Sequence, residues 1–135
     1  MERIKNIDVN LIYKLCDEYA AAYNAGDLER WLLLWSDDCV QIPPDALEIM
    51  GVDQLRDAHK SRFAGYDCEV KHSLNEVQVL GDWAHAFGSF ELLATPKNGG
   101  NPTIGAGKFL SILNKQRDGA WKISRECINF DKSCS

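Results

Sequence analysis

The feature that most restricts this chain is a change of hydrophobic period near Cys68. Before it, apolar residues recur at three- and four-residue steps; after it, they recur at every second residue. A helical stripe needs a second layer to cover it, and an alternating strand has one face to cover, so the two halves are complementary. Leu11, Ile12, Leu15, Tyr19, Ala22 and Tyr23 predict a first helix. Asn24-Ala25-Gly26 ends it, since glycine takes the left-handed conformation that closes a helix. Asp27 then predicts an N-cap for a second helix carrying Leu28, Trp31, Leu32 and Trp35 and stopping near Ser36-Asp37-Asp38. Cys39–Ile42 reads as a strand end, cut off because Pro43 and Pro44 cannot donate to a ladder. Gly51 opens a third helix with Val52, Leu55 and Phe63 inward, closed by Gly65 and Tyr66.

Four strands are predicted next, over 68–80, 83–95, 104–116 and 121–130. Gly81-Asp82, the Pro/Gly/Asn-rich stretch 95–103, and Arg117-Asp118-Gly119 provide the turns. The expected fold is α+β: three N-terminal helices packed in the concave face of a strongly curved antiparallel sheet, a cone with a pocket. A length of 135 residues predicts a single domain, 1–135, with 131–135 as tail.

Charge and cysteine usage exclude several partners. There are 15 Lys and Arg against 20 Asp and Glu, a net charge of −5, and the basic residues form no run able to neutralise a row of phosphates. Nucleic acid is not an expected partner. No apolar stretch reaches the roughly 18 residues of a membrane span, and Met1–Asn6 lack the character of a secretory signal. A cytoplasmic location and no membrane partner are therefore expected. The five cysteines (Cys16, Cys39, Cys68, Cys127, Cys134) show no CxxC spacing and are expected as free thiols. His59, His72 and His85 are not spaced to complete a zinc site with them, so neither a metal nor a cofactor is expected. Gly99-Gly100 and Gly105-Ala106-Gly107 read as hairpin punctuation, because no helix start follows them to hold a phosphate.

Two stretches carry a family resemblance. Tyr19-Ala20-Ala21-Ala22-Tyr23-Asn24-Ala25-Gly26-Asp27-Leu28-Glu29, followed by Trp35-Ser36-Asp37-Asp38, resembles the opening of the nuclear transport factor 2-like superfamily, in its SnoaL-like and ketosteroid isomerase branches. Gly107-Lys108-Phe109-Leu110, Gln116 to Ile123 and Ile128-Asn129-Phe130-Asp131 resemble the end of small SnoaL-like proteins. The resemblance spans about residues 10–131 and is specific for fold. For reaction it is not, since the superfamily holds isomerases, cyclases, dehydratases, hydrolases and non-catalytic association modules. In the isomerases a first-helix tyrosine works with two carboxyls. Tyr19 matches the tyrosine, but the carboxyl positions fall at Pro43 and near Ile112, so steroid-type isomerisation is not expected.

Matching the strand register of that family places Trp83, His85, Phe87, Ser89 and Glu91 on the pocket side, with Lys108, Leu110 and Ile112, and with Arg125, Cys127 and Asn129. Ala84, Ala86, Gly88, Phe90 and Leu92 would form the other face. On that placement His85 is the candidate general acid or base, because imidazole titrates near neutrality. The other reading of His85 is a hydrogen-bonded residue at mid-strand. Tyr19 is either a donor to a ligand carbonyl or a core tyrosine. Glu91 either orients His85 or reaches solvent. Lys108 and Arg125 would make the interior cationic and suit an anionic ligand if inward, and are solvated or cross-strand paired if outward. Asn129 binds ligand or satisfies backbone. Trp35 and Phe63 belong to an aromatic stripe that doubles as pocket wall. Cys127 reads as a buried structural thiol, and Asp37-Asp38 as a cap or turn pair.

Two functional readings stay open at this point. One is a small-molecule-binding protein, with or without acid–base catalysis on a hydrophobic ring or carbonyl compound. The other is a non-catalytic association module, a homodimer through the small-residue sheet face.

Overall fold

The computed structural model describes residues 2–131, with side chains from Ile7 onward; Cys134 and most of the expected tail lie outside the described residues. The elements are α1 (Glu2–Asn24), α2 (Leu28–Leu32), β1 (Trp35–Ile42), β2 (Ile49–Met50), α3 (Gly51–Gly65), β3 (Tyr66–Leu80), β4 (Trp83–Pro96), β5 (Thr103–Lys115) and β6 (Trp121–Phe130). The architecture is α+β, with the helices on one side of a six-stranded sheet of order β2-β1-β6-β5-β4-β3.

The expected element order holds, with two differences. The second helix ends at Leu32, and Trp35, expected on it, starts a strand instead. That strand runs parallel to β6, pairing Gln41 with Glu126, so the sheet is mixed where a purely antiparallel one was expected. A five-residue helix contributes little stability of its own. The chain after it is better satisfied by a ladder, with its apolar residues Trp35 and Cys39 in the core.

Local chemistry anchors the helices to the sheet. Asp27 caps α2 by accepting from Arg30 N at 3.1 Å. Asn24, the last residue of α1, bonds both backbone groups of Val70 on the edge strand β3, donating to Val70 O at 3.2 Å and accepting from Val70 N at 2.6 Å. Near the other end of α1, buried Asp8 accepts from Trp121 Nε1 at 3.1 Å and pairs with Lys115 at 3.2 Å. Between these anchors Ile12, Tyr19 and Ala22 sink into a core shared with Trp31, Trp35, Leu55, Phe63, Leu113 and Ile123.

The side of the sheet that each residue faces is opposite to the expected one along β4, β5 and the far half of β6. Ala84 and Ala86 are buried in the core, while Trp83 and Phe87 stand outside, 52% and 40% exposed. The register pairs Ala84 with Leu113 and Ala86 with Ser111, and partners directly opposite share a face, so these four face in together. Farther along β4 the same parity brings Phe90 and Leu92 inward, where they line the cavity. On β6 a bulge decides the matter: Ile112 pairs with Arg125 and Leu113 with Ile123, leaving Ser124 without a partner. The extra residue reverses the alternation. Trp121 and Ile123 face in before it; Glu126, Ile128 and Phe130 face in after it. A second bulge on β3 skips Asn75 between Leu74 and Glu76. Gly88 lies opposite it, and a Cβ there would meet Ser73 O at 2.1 Å, so only glycine fits.

Candidate functional site

The cone encloses a cavity of about 320 Å³ between α1, α3 and the concave face of the sheet. Its walls are mainly apolar: Val70, Phe90, Leu92, Phe109, Ile128 and Phe130, with Pro43 and Pro44. Both the volume and this character fall in the range of small-molecule sites. Its polar groups are Tyr19, Tyr23, Gln41, His59, Arg62, His72 and Glu126.

Glu126 organises them. It is 4% exposed, and its Oε1 accepts from Gln41 Nε2 at 2.9 Å and from Tyr19 OH at 3.2 Å. Among the described residues Oε2 has no hydrogen-bond partner. Burial pushes the carboxyl up to about 7, against the two hydrogen bonds, which favour the ionised form and hold it down. A carboxyl raised in this way changes its ionisation near neutrality.

The donor and acceptor pattern runs one way. An ionised carboxylate only accepts, so Gln41 turns its NH₂ toward Glu126 and its oxygen toward His59, which lies 2.7 Å away through Nε2. His59 Nε2 therefore carries the proton and Nδ1 does not. Burial, aided by the charge of Arg62, lowers the His59 pKa to about 4, so the ring is neutral. His72 is also held below its ordinary pKa, chiefly by burial; its Nδ1 lies 3.3 Å from both the Cys16 carbonyl and the Cys16 Sγ. Cys16 is pushed up to about 12 by burial first and the nearby Asp17 and Glu126 next, so it is a thiol and no nucleophile. Both phenols are raised by burial and stay protonated donors. The Tyr23 hydroxyl has no hydrogen-bond partner among the described residues.

Of the residues singled out from sequence, Tyr19 lines this cavity. Trp35 and Phe63 lie in the core behind the wall, Phe63 edge-on to Tyr23 at 4.7 Å. The others correct the expected placement. His85 is on the outer face, paired with Glu76 at 2.8 Å. Phe87 is exposed beside it. Ser89 and Glu91 also have the outward parity of β4 and do not line the cavity. Lys108 pairs with Asp131 outside. Arg125 donates to Asp38 O at 3.0 Å and Ser124 O at 2.8 Å. Asn129 and Cys127 are exposed, so Cys127 is not the buried thiol expected. For the β6 residues the cause is the bulge at Ser124; on β4 and β5 it is the shared register that turns Ala84, Ala86, Ser111 and Leu113 inward together.

Glu126, Gln41, His59, His72 and Arg62 were missed. One signal was available on β6: Glu126, Ile128 and Phe130 share a parity with two large apolar residues, whereas Arg125, Cys127 and Asn129 do not. Another lay on α3, where Leu55, His59 and Phe63 repeat every fourth residue. Among the described residues no group of His, Cys, Asp and Glu could hold a metal ion, and no helix is long and apolar enough to cross a membrane.

Helices laid on one side of a curved sheet, around a cavity with one buried carboxyl, define an α+β protein with a candidate small-molecule pocket. Residues 7–126 match the SnoaL-like domain, and the chain belongs to that family. Among solved structures it resembles a ketosteroid isomerase-like protein from Erwinia carotovora atroseptica at 27% identity, with 91% of this chain and 95% of that one covered and a TM-score of 0.81. It also resembles a Novosphingobium aromaticivorans protein named, provisionally, as a scytalone dehydratase, at 13% identity, 98% and 89% coverage and a TM-score of 0.89. A nuclear transport factor 2-like protein from Salmonella enterica aligns at 15% identity over 97% and 96% of the two chains, TM-score 0.83. No curated protein matches the sequence.

Proposed function

We propose that this protein is a cofactor-independent acid–base enzyme that moves a proton on a hydrophobic ring or carbonyl compound. The observation that carries the reading is Glu126: a buried carboxyl on an apolar cavity wall, with both protein hydrogen bonds on Oε1 and Oε2 left for the ligand. A carboxyl raised toward neutrality by burial suits general acid–base work. In the step envisaged, a ligand carbonyl accepts from the Tyr23 hydroxyl while Glu126 Oε2 takes the proton from the adjacent carbon. The resulting enolate is reprotonated by the same carboxyl, so charge and protons balance. The names of structural neighbours, isomerase-like and dehydratase, describe chemistry of this acid–base kind.

The test is exchange of α-protons of a ring ketone such as a tetralone in deuterated water, followed by NMR, which needs the base and no knowledge of the final product. The exchange rate is expected to rise with pH to a plateau above about 7 as Glu126 ionises. Glu126→Gln is expected to lower it by about 100-fold or more. Tyr19→Phe removes a donor to the carboxylate, so the rising limb moves to higher pH. His85→Ala, on the outer face, leaves the rate unchanged. Wild-type exchange in the Glu126→Gln variant would overturn the assignment.

A second observation supports self-association. On the outer face the register aligns Phe87, Leu110, Cys127 and Ile42 across four strands, with Ile112 in the next row. Leu110 is 51% and Ile42 44% exposed. We propose that this apolar row, rather than the inward-facing Ala84, Ala86 and Gly88, is the homodimer face. Light scattering at micromolar concentration is expected to give a dimer for the native chain and a monomer for Leu110→Glu. A monomeric native chain would exclude the interface.

A further inference from the structure

The cavity is electrically graded from its depth to its mouth. Glu126, the single carboxylate among the described lining residues, is buried; Arg62, the single Lys or Arg among them, is exposed on α3. The two imidazoles that also line the cavity, His59 and His72, are held below their ordinary pKa chiefly by burial. Arg62 has no carboxylate within 4.0 Å among the described residues, whereas Arg30 and Arg56 each pair with one or more. Arg56, earlier on the same helix, takes two, Glu29 and Asp53. The Arg62 guanidinium instead lies near enough to Tyr23, His59 and Cys68 for its charge to act on all three.

We propose that Arg62 holds the anionic group of a hydrophobic ring carboxylate at the cavity mouth and directs its apolar body toward Glu126. The proposal rests on the acid–base reading of the cavity and names its substrate class. A guanidinium meets a carboxylate with two parallel N–H donors, so it orients the ligand as well as attracting it. The opposite orientation sets a ligand carboxylate beside Glu126 in a low-dielectric floor, where like charges repel strongly. The net charge of −5 disfavours anions over the surface as a whole. Selectivity for an anion must therefore come from a local cation, and Arg62 is the one placed at the cavity.

The test compares three probes of known chemistry by titration calorimetry: naphthoate, the neutral naphthamide with the same ring body, and acetate, which has the charge alone. The native protein is expected to bind naphthoate more tightly than naphthamide, and acetate not measurably. Arg62→Met is expected to weaken naphthoate about tenfold and leave naphthamide unchanged, the loss of one charge-assisted contact. Arg62→Lys is expected to restore part of the preference. Equal affinity for naphthoate and naphthamide, no binding of naphthoate, or an Arg62→Met variant that keeps the preference would overturn the proposal. Glu126→Gln separates it from the catalytic reading. Its preference for naphthoate is expected to persist while proton exchange is lost. A persistent preference with undiminished exchange overturns only the acid–base step, and a lost preference with intact exchange in Arg62→Met overturns neither.

Discussion

Glu126→Gln is expected to make the protein more stable at about pH 8, by roughly 2–3 kcal/mol, while removing its proton-transfer activity. The carboxyl is raised from 4.5 to about 7, so the folded state keeps a proton that the unfolded chain releases across that window. Stability from this group is fully present below pH 4.5 and is lost as pH rises through about 7. Gln is neutral at every pH, is nearly the same shape, and still offers Oε1 to Tyr19 and Gln41. It removes the penalty of a buried charge without opening a cavity. The two half-buried histidines act with the opposite sign. His59, lowered to about 4 from 6.5, and His72 cost stability as pH falls, because the unfolded chain takes up protons the folded one refuses. Subtracting the curve of the variant from that of the native chain cancels these contributions and isolates Glu126. Urea unfolding at stepped pH measures it: the difference should be near zero at about pH 4 and grow to its full value above about pH 7. A difference that does not change with pH would mean that the carboxyl is not raised. A gain in stability with a loss of activity is the mark of a group held where function needs it, at a cost to the fold.

Trp31→Ala is the change expected to damage the fold most, by about 3–5 kcal/mol. Trp31 is completely buried and touches the aromatic cluster on every side. Its ring centroid lies 5.5 Å from Tyr19, 5.6 Å from Tyr23, 5.3 Å from Trp35, 5.6 Å from Phe63 and 4.8 Å from His59. Three of those contacts are edge-on, the arrangement that adds to area burial. Truncation leaves a void between α1, α2 and α3, and those helices hold Tyr19 and His59 against Gln41 and Glu126. Trp31→Phe is expected to cost far less, since Trp31 Nε1 has no hydrogen-bond partner among the described residues. Chemical unfolding of the two variants provides the comparison. A loss below about 1 kcal/mol for Ala would show that the cluster is not the mechanical centre of the fold.

How much of this was legible beforehand differs between fold and site. The helix stripes, the Asp27 cap, the turn at Gly81-Asp82 and the strand alternation each depend on residues within a few positions of one another. They were readable for that reason, and with them the α+β class and the existence of a cone. The side each strand turns inward was not. A bulge at Ser124 forms because β5 and β6 meet in a particular register, and it reverses every residue beyond it. The inward parity of β4 follows from its register with β5, which sets Ala84 beside buried Leu113 and Ala86 beside buried Ser111. Neither cause is local, and the candidates His85, Lys108, Arg125 and Asn129 were placed on the wrong face for want of it.

The sequence by itself determined the elements, their order and the need for one layer to cover the other, because periodicity and turn chemistry act over short range. Only the tertiary structure decided that Tyr19 from α1, Gln41 from β1, His59 from α3 and Glu126 from β6 converge on one cavity. Those four residues span more than a hundred positions of chain, from Tyr19 to Glu126. The chemistry of Glu126 exists only at their meeting point, because burial raises a carboxyl toward neutrality only after the rest of the chain has closed over it.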